Sequence, residues 1–393
     1  MDFSIQADFQ QKLEATEAFV YEHIVPLEQL LLTQQYEALH IALDSVREKV
    51  RAQGWWAPHL PESLGGTGNG LLELGLLSEV IGQTPLGHYA FGCQAPDAGN
   101  AELLHLYANK AQAAQFLKPL AAGEIRSCFG MTEPDSAGSN PTLLETQAKL
   151  ENGEWVIDGK KWFTTAADGA NFCIVMAVTD PDQAKHQRAS MLIVPTDTPG
   201  YKMLRNIPVM GHAGGGYFSH AEIEFENCRI PEANILGERG QGFMMAQQRL
   251  GPGRIQHCMR WIGVARRALK EMKDYAKQRM LNSRETLADQ QTTQNRLADG
   301  TAELYAARAL ILETAWMVEN QGFSAARDRI SMIKFHTANM LQHVVDMALQ
   351  VHGALGMTDD KILAFYYREE RAARIYDGPD EVHRMSLARR LLK

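Results

Sequence analysis

The chain reads as an α+β multidomain protein, with a β-rich middle set between two helical regions. Three observations predict this. Helical texture opens the chain in the glycine-free stretch Phe9–Glu48 and in Leu71–Ile81. Short apolar runs with Gly and Pro punctuation fill residues from about 126 to 230. After Gly242 the helical texture returns and holds to the end. Helices, then strands, then helices is not the alternation of a doubly wound sheet. A chain of 393 residues has material for two or three domains, and the changes of texture place them at 1–125, 126–238 and 239–393.

In order along the chain, the Gly-rich run Leu64–Gly70 must be a loop between helices. In the middle region Trp155-Val156-Ile157 precedes Asp158-Gly159, a hairpin-type turn signal. Phe172–Val178 and Met191–Val194 are continuous apolar runs, and Ala221–Phe225 alternates strictly; together they predict a small β-barrel or sandwich. In the last region Leu341, Val344, Val345, Ala348 and Leu349 form the stripe of a helix with one buried face.

Composition narrows the function. Hydrophobic residues make up 45% and charged residues 22%, with a net charge of −8, so a chain-wide basic surface for nucleic acid is excluded. Residues 241–281 nevertheless carry nine Lys and Arg against two Asp and Glu, a cationic stretch that points to anionic cofactors. No apolar run approaches the roughly 18 residues of a membrane span, and the acidic, polar opening MDFSIQADFQ reads as neither a signal nor a transit peptide. The five scattered cysteines contain no C-x-x-C pair and read as buried free thiols, which suits the cytoplasm. No P-loop, G-x-G-x-x-G turn, H-E-x-x-H or G-x-S-x-G motif occurs, and the histidines show no metal-ligand spacing, so no metal is expected.

Residues 128–139, Cys-Phe-Gly-Met-Thr-Glu-Pro-Asp-Ser-Ala-Gly-Ser, are followed about twenty residues on by Asp158-Gly159-Lys160-Lys161-Trp162-Phe163-Thr164-Thr165. This pair resembles the T-E-P…A-G-S and N-G-x-K-x-W-x-T signatures of the acyl-CoA dehydrogenase flavoproteins. Arg279, Gln290 and Gln350-Val351-His352-Gly353 fall where that family keeps an Arg, a Gln and a Q-x-x-G. The resemblance implies an N-terminal helical domain, a middle β-barrel and a C-terminal four-helix bundle. It also implies bound FAD, an acyl-CoA substrate, an electron-transferring flavoprotein as acceptor, a role in fatty acid metabolism, and a homotetramer or homodimer.

By the same resemblance Phe129 and Met131 offer backbone donors to the flavin, Thr132 and Thr164 offer hydroxyls, and Trp162 offers an aromatic wall. Ser139 would sit nearer the thioester. Arg279 would reach a neighbouring subunit's FAD pyrophosphate, where a guanidinium fork suits the charge, with Gln290, Gln350 and Gly353 completing the cofactor set. Arg254 would stand near the base and substrate.

The family's reaction needs a carboxylate to remove the α-proton. Its common members carry Glu in Y-E-G-T; this chain reads Tyr376-Asp377-Gly378-Pro379-Asp380-Glu381-Val382-His383. Asp377 is therefore the expected base, one methylene shorter, with Asp380 or Glu381 as substitutes. The second base position used by some members falls at Gly253, which has no side chain. Pro379 replaces the threonine and has neither hydroxyl nor N–H to offer a flavin. An aspartate base also permits an oxidase on the same fold, of acyl-CoA or nitroalkane type. A non-catalytic acyl-CoA-binding relative is the third alternative.

Overall fold

A computed structural model describes residues 5–393. The chain divides into two compact units. One comprises the chain up to Gln53, Asn69–Phe91 and Gly251–Lys393; the other comprises Gly54–Gly68 and Gly92–Leu250.

The first unit is helical. The glycine-free N-terminal stretch is helical in pieces: Ala7–Phe19, a wide turn Val20–Ile24, a short turn Val25–Leu27 carrying Pro26, and Glu28–Leu32. Gln34 then takes a left-handed conformation (φ 56°) before the helix Tyr36–Ala52. Leu71–Ile81 is helical as its composition predicts, and Leu74–Ile81 is buried throughout, as an all-round apolar helix requires. The long helix Gly242–Gln278 contributes its residues from Gly251 onward to this unit, and the helix Gln291–His352 follows, interrupted at Gly322 (φ 82°, ψ 166°). Leu341, Val344, Val345 and Ala348 are buried on its inner face, and Leu349 is half-buried.

Ion pairs join the acidic N-terminal segments of this unit to the cationic stretch. Buried Glu79 bridges Arg266 (Nη1, 2.9 Å) and Arg308 (Nε, 2.6 Å), Arg266 also reaches Glu17, and Arg267 lies 3.5 Å from Glu28. Arg266 and Arg267 of the basic stretch are thus paired internally, while Arg279 is exposed.

In the second unit Gly66 marks a point of close approach. A Cβ there would lie 2.1 Å from the Leu60 carbonyl oxygen, so only glycine fits. The indole of Trp56 donates to the Ala121 carbonyl (2.9 Å). The strands are β1 (Ser127–Gly130), β2 (Gln147–Glu151), β3 (Glu154–Thr165), β4 (Phe172–Val178), β5 (Ala189–Pro195), β6 (Tyr201–Asn206), β7 (His220–Pro231) and β8 (Ile235–Leu236). They form one sheet in the order β6-β7-β3-β2-β4-β5-β8, with β1 paired in parallel to β4. Trp155, Phe225, Val175 and Leu192, from four different strands, share one buried core, so the sheet curls on itself. No ladder joins β6 to β8 among the described residues.

Asp158-Gly159 is not the hairpin turn. The chain reverses at Asn152-Gly153, both with positive φ, between β2 and β3, where the Asn-Gly pair suits a tight turn. Asp158-Gly159 lies inside β3 at a register shift against β7. There a Gly Cβ would collide with Thr146, so the glycine answers a close approach and not a turn. All five cysteines are buried and free. No helix among the described residues is long and apolar enough to cross a membrane.

Candidate active site

In the β-rich unit, the two motifs that carry the resemblance are held against one another. The Trp162 amide donates to the Thr132 carbonyl (3.0 Å). Beneath them lies a fully buried ion pair. Lys161 Nζ contacts Glu133 Oε1 at 2.7 Å and donates to the Met131 carbonyl at 3.0 Å. Glu133 also accepts from the amides of Glu145 (2.6 Å) and Thr146 (2.9 Å). Burial pushes Lys161 down to about 8, against the pull of Glu133. Burial raises Glu133, but Lys161 and the amide donors outweigh it and hold the carboxyl below its ordinary value. In the sequence Glu133 and Lys161 are letters of the two motifs, with nothing to signal that they pair.

β3 carries a bulge at the same place. Its register against β7 jumps from Lys161↔Ile223 to Thr164↔Ala221, and Phe163 takes φ 49°. One extra residue on β3 changes the alternation, leaving Trp162 half-buried, Phe163 exposed and Thr164 buried. The Thr164 hydroxyl is buried with no hydrogen-bond partner. Phe129 and Met131 are half-buried, the Arg249 guanidinium lies 4.3 Å from the Phe129 ring centre, and Ser139 is exposed.

In the helical unit the structure brings Asp377 and Arg254 together, through the backbone of the turn. Asp377 adopts φ 54° and Gly378 φ 98°. The Asp377 carbonyl accepts from Arg254 Nε (3.2 Å) and His383 Nε2 (3.1 Å). Buried Lys334 donates to the Ala373 (2.7 Å) and Gly378 (3.3 Å) carbonyls. Gly378 cannot be replaced without cost, since a Cβ would lie 2.8 Å from His383 Nε2. The preceding Tyr376 hydroxyl accepts from Arg260 Nη2 (2.9 Å) and Trp261 Nε1 (3.0 Å), and Arg260 is paired in turn with buried Glu370. The turn is therefore fixed from several sides, while the Asp377 side chain remains 18% exposed.

His257 Nε2 stands 3.3 Å from Asp377 Oδ2. Burial pushes the His257 ring down to about 4, against the pull of Asp377, and burial likewise brings His383 to about 4. Burial thus favours the neutral imidazole at both positions. Burial also lowers Arg254, although Asp377 opposes the shift. Sequence reasoning missed His257, Lys334 and His383. One available signal was the spacing of Arg254 and His257, which puts both on one side of a helix turn.

The substitute bases fare differently from Asp377. Asp380 is buried and bound through Oδ2 to Arg374 (2.9 Å), Asn339 (2.8 Å) and Arg384 (3.5 Å), an anchoring role. Glu381 is exposed on the helix Asp380–Leu391, which Pro379 begins by accepting from the amides of Val382 and His383. Gly253 lies in the helix Gly242–Gln278, and a Cβ there would meet nothing within 4 Å.

The remaining predicted residues sit elsewhere in this unit. Exposed Arg279 follows that helix, and its carbonyl accepts from the Leu287 amide (2.8 Å). The same connection ends at Gln290, the N-cap of the next helix. Gln350 and Gly353 are exposed at the far end, where the Gly353 amide bonds the Gln350 carbonyl. His352 between them turns inward and stacks on Tyr275 with ring centres 4.3 Å apart.

A helical segment, a curled β sheet bearing the paired Thr and Trp motifs, and a helical segment bearing an aspartate turn define a class. The chain belongs to the acyl-CoA dehydrogenase family. It matches the family's N-terminal domain over residues 6–124, its middle domain over 128–228 and its C-terminal domain over 240–392, and has the corresponding three-domain fold. Among its relatives is the "Probable acyl-CoA dehydrogenase FadE2" of Mycobacterium tuberculosis, 43% identical over 88% of this chain and 84% of the relative. Another is mouse acyl-CoA dehydrogenase family member 10, 39% identical over 95% of this chain but only 36% of the longer mouse protein. A solved acyl-CoA dehydrogenase homologue from Mycobacterium abscessus is 37% identical, with a TM-score of 0.93 over 99% of both chains.

Proposed function

We propose that the protein is an FAD-dependent acyl-CoA dehydrogenase that introduces an α,β double bond into an acyl-CoA thioester. Asp377 carries this reading: a partly exposed carboxylate on a left-handed turn whose backbone is tied by Arg254, His383 and Lys334. A proton-abstracting group gains from such a fixed mount, because small misplacements of a reacting atom are costly in rate.

The residues present fit the cofactor. The buried, unpartnered Thr164 hydroxyl is a donor in need of an acceptor, and half-buried Trp162 offers an aromatic face. Phe129, Met131, Thr132, Trp162 and Thr164 would hold the flavin ring. Arg279, Gln290, Gln350 and Gly353 would reach the cofactor of a neighbouring copy in a homotetramer. When bound, FAD accepts the β-hydrogen as a hydride. Asp377 takes the α-proton, while Arg254 holds the Asp377 turn and Ser139 lies toward the acyl-CoA. An electron-transferring flavoprotein is the proposed acceptor, and the three proposed domains are 1–125, 126–238 and 239–393.

The test is a spectroscopic screen. The purified protein is expected to be yellow, and anaerobic addition of a matching acyl-CoA to bleach it. A broad panel of chain lengths that leaves the flavin oxidised would sink the assignment.

A further inference from the structure

We propose that His257 is a positioning residue for the Asp377 carboxylate, holding one oxygen through its Nε2–H and leaving the other free to take the α-proton. The inference rests on the reading of Asp377 as the base. Among the described residues, the His257 ring nitrogen Nε2 lies 3.3 Å from that carboxylate, at Oδ2. The two cations nearest in the turn are committed to its backbone: Arg254 Nε to the Asp377 carbonyl, and Lys334 Nζ to the Ala373 and Gly378 carbonyls. Both cations still act on the Asp377 carboxylate through their charge, but their hydrogen bonds go to the backbone, and the imidazole is the group that approaches a carboxylate oxygen.

The imidazole is itself fixed. It packs near-parallel to Trp261 (centroids 6.2 Å apart, 24° between planes) and lies 5.3 Å from the Tyr376 ring. Those two side chains are joined by the Trp261 Nε1 to Tyr376 hydroxyl bond. The charged groups facing the ring are Asp377, Arg260, Lys334 and Glu370. Arg260 and Glu370 are paired with each other, and Lys334 is held by carbonyls. A neutral imidazole has a single N–H. Nε2 is the ring atom 3.3 Å from Oδ2, so a proton placed there is the one that could reach it; the contact is not an aligned hydrogen bond in this structure and is of the kind that tightens when substrate binds.

An aspartate has one rotatable bond fewer than a glutamate, and its reach is set by the turn. Fixing one oxygen determines where the other points.

The experiment measures anaerobic flavin reduction in the holoprotein, with the acyl-CoA identified by the bleaching screen. It is paired with 15N spectra of histidine-labelled protein. His257→Phe is expected to lower the limiting reduction rate about ten- to a hundredfold, the effect of one hydrogen bond to a charged group. Acyl-CoA binding should stay unchanged. His257→Gln, which keeps an amide donor, should recover most of the rate. The 15N spectra should show the Nε2–H tautomer at His257. An unchanged limiting rate in His257→Phe, no rescue by Gln, or an Nδ1–H tautomer would each overturn the proposal. If no acyl-CoA bleaches the wild-type flavin, the functional reading fails, whereas the tautomer still judges the His257 contact by itself.

Discussion

The Lys334 ammonium donates to the Ala373 carbonyl at 2.7 Å and is fully buried. It also reaches the Gly378 carbonyl and lies over the Trp261 and Tyr376 rings at 5.3 and 5.5 Å. Burial lowers its pKa, with Asp377 opposing. This lysine holds a segment on either side of Asp377, so it ties the local backbone to the proposed chemistry.

Lys334→Met should leave two carbonyls without their donor and cost about 2–3 kcal/mol of stability. Flavin reduction should fall further than acyl-CoA binding, because the turn loosens while the rest of the unit stays folded. Denaturant titration and anaerobic stopped-flow measurements on the same variant check both effects.

Gly378→Ala should be more damaging than its size suggests. The residue has φ 98°, and a Cβ would press on His383 Nε2 at 2.8 Å. The strain is expected to cost about 1–3 kcal/mol and to displace His383 from the Asp377 carbonyl. Thermal unfolding together with a lowered reduction rate would show it; Gly378→Ala with wild-type values in both would refute the role given to this glycine.

Acidification should destabilise the protein through its buried histidines. His257 and His383 are pushed by burial to about 4 from 6.5. Between those values the unfolded chain binds more protons than the folded one, so stability rises with pH through the window and is lost as pH falls. Each histidine contributes a slope of up to about 1.4 kcal/mol per pH unit. Urea unfolding across this range should show a shallower slope for His383→Gln than for wild type.

The buried Lys161–Glu133 pair should behave as a clamp on the Thr132 and Trp162 segments. Lys161→Met leaves an unpaired buried carboxylate and should cost about 3–5 kcal/mol. Double replacement by apolar residues should cost much less. Retained flavin absorbance with wild-type stability in Lys161→Met would contradict the clamp.

Period and texture made the three-part organisation legible, because apolar spacing changes with the secondary structure that buries it. They failed where local chemistry has two uses. Asp158-Gly159 carries the letters of a turn but sits at a register shift where Gly159 packs closely against Thr146, while Asn152-Gly153 makes the reversal. The motif residues Thr132 and Trp162 were visible as a pair, and the structure joins them by one backbone bond. Asp377 was visible only through its likeness to a family position. Lys334 was not visible at all: a lysine 43 residues away in sequence (334 to 377) signals its burial and its carbonyl partners only once the chain is folded. Charge counts also do not show which cations are free: Glu79 and Glu28 take up Arg266 and Arg267 of the cationic stretch, and only the folded chain reveals it.

Asp377→Asn tests the central claim most directly. Asparagine tolerates the left-handed backbone at this position, so FAD and acyl-CoA binding should persist. With the acyl-CoA that bleaches the wild type, the variant's rate of flavin reduction should fall about 10²–10⁴-fold, the usual contribution of a general base. Reduction at the wild-type rate would contradict the account and place the base on another residue.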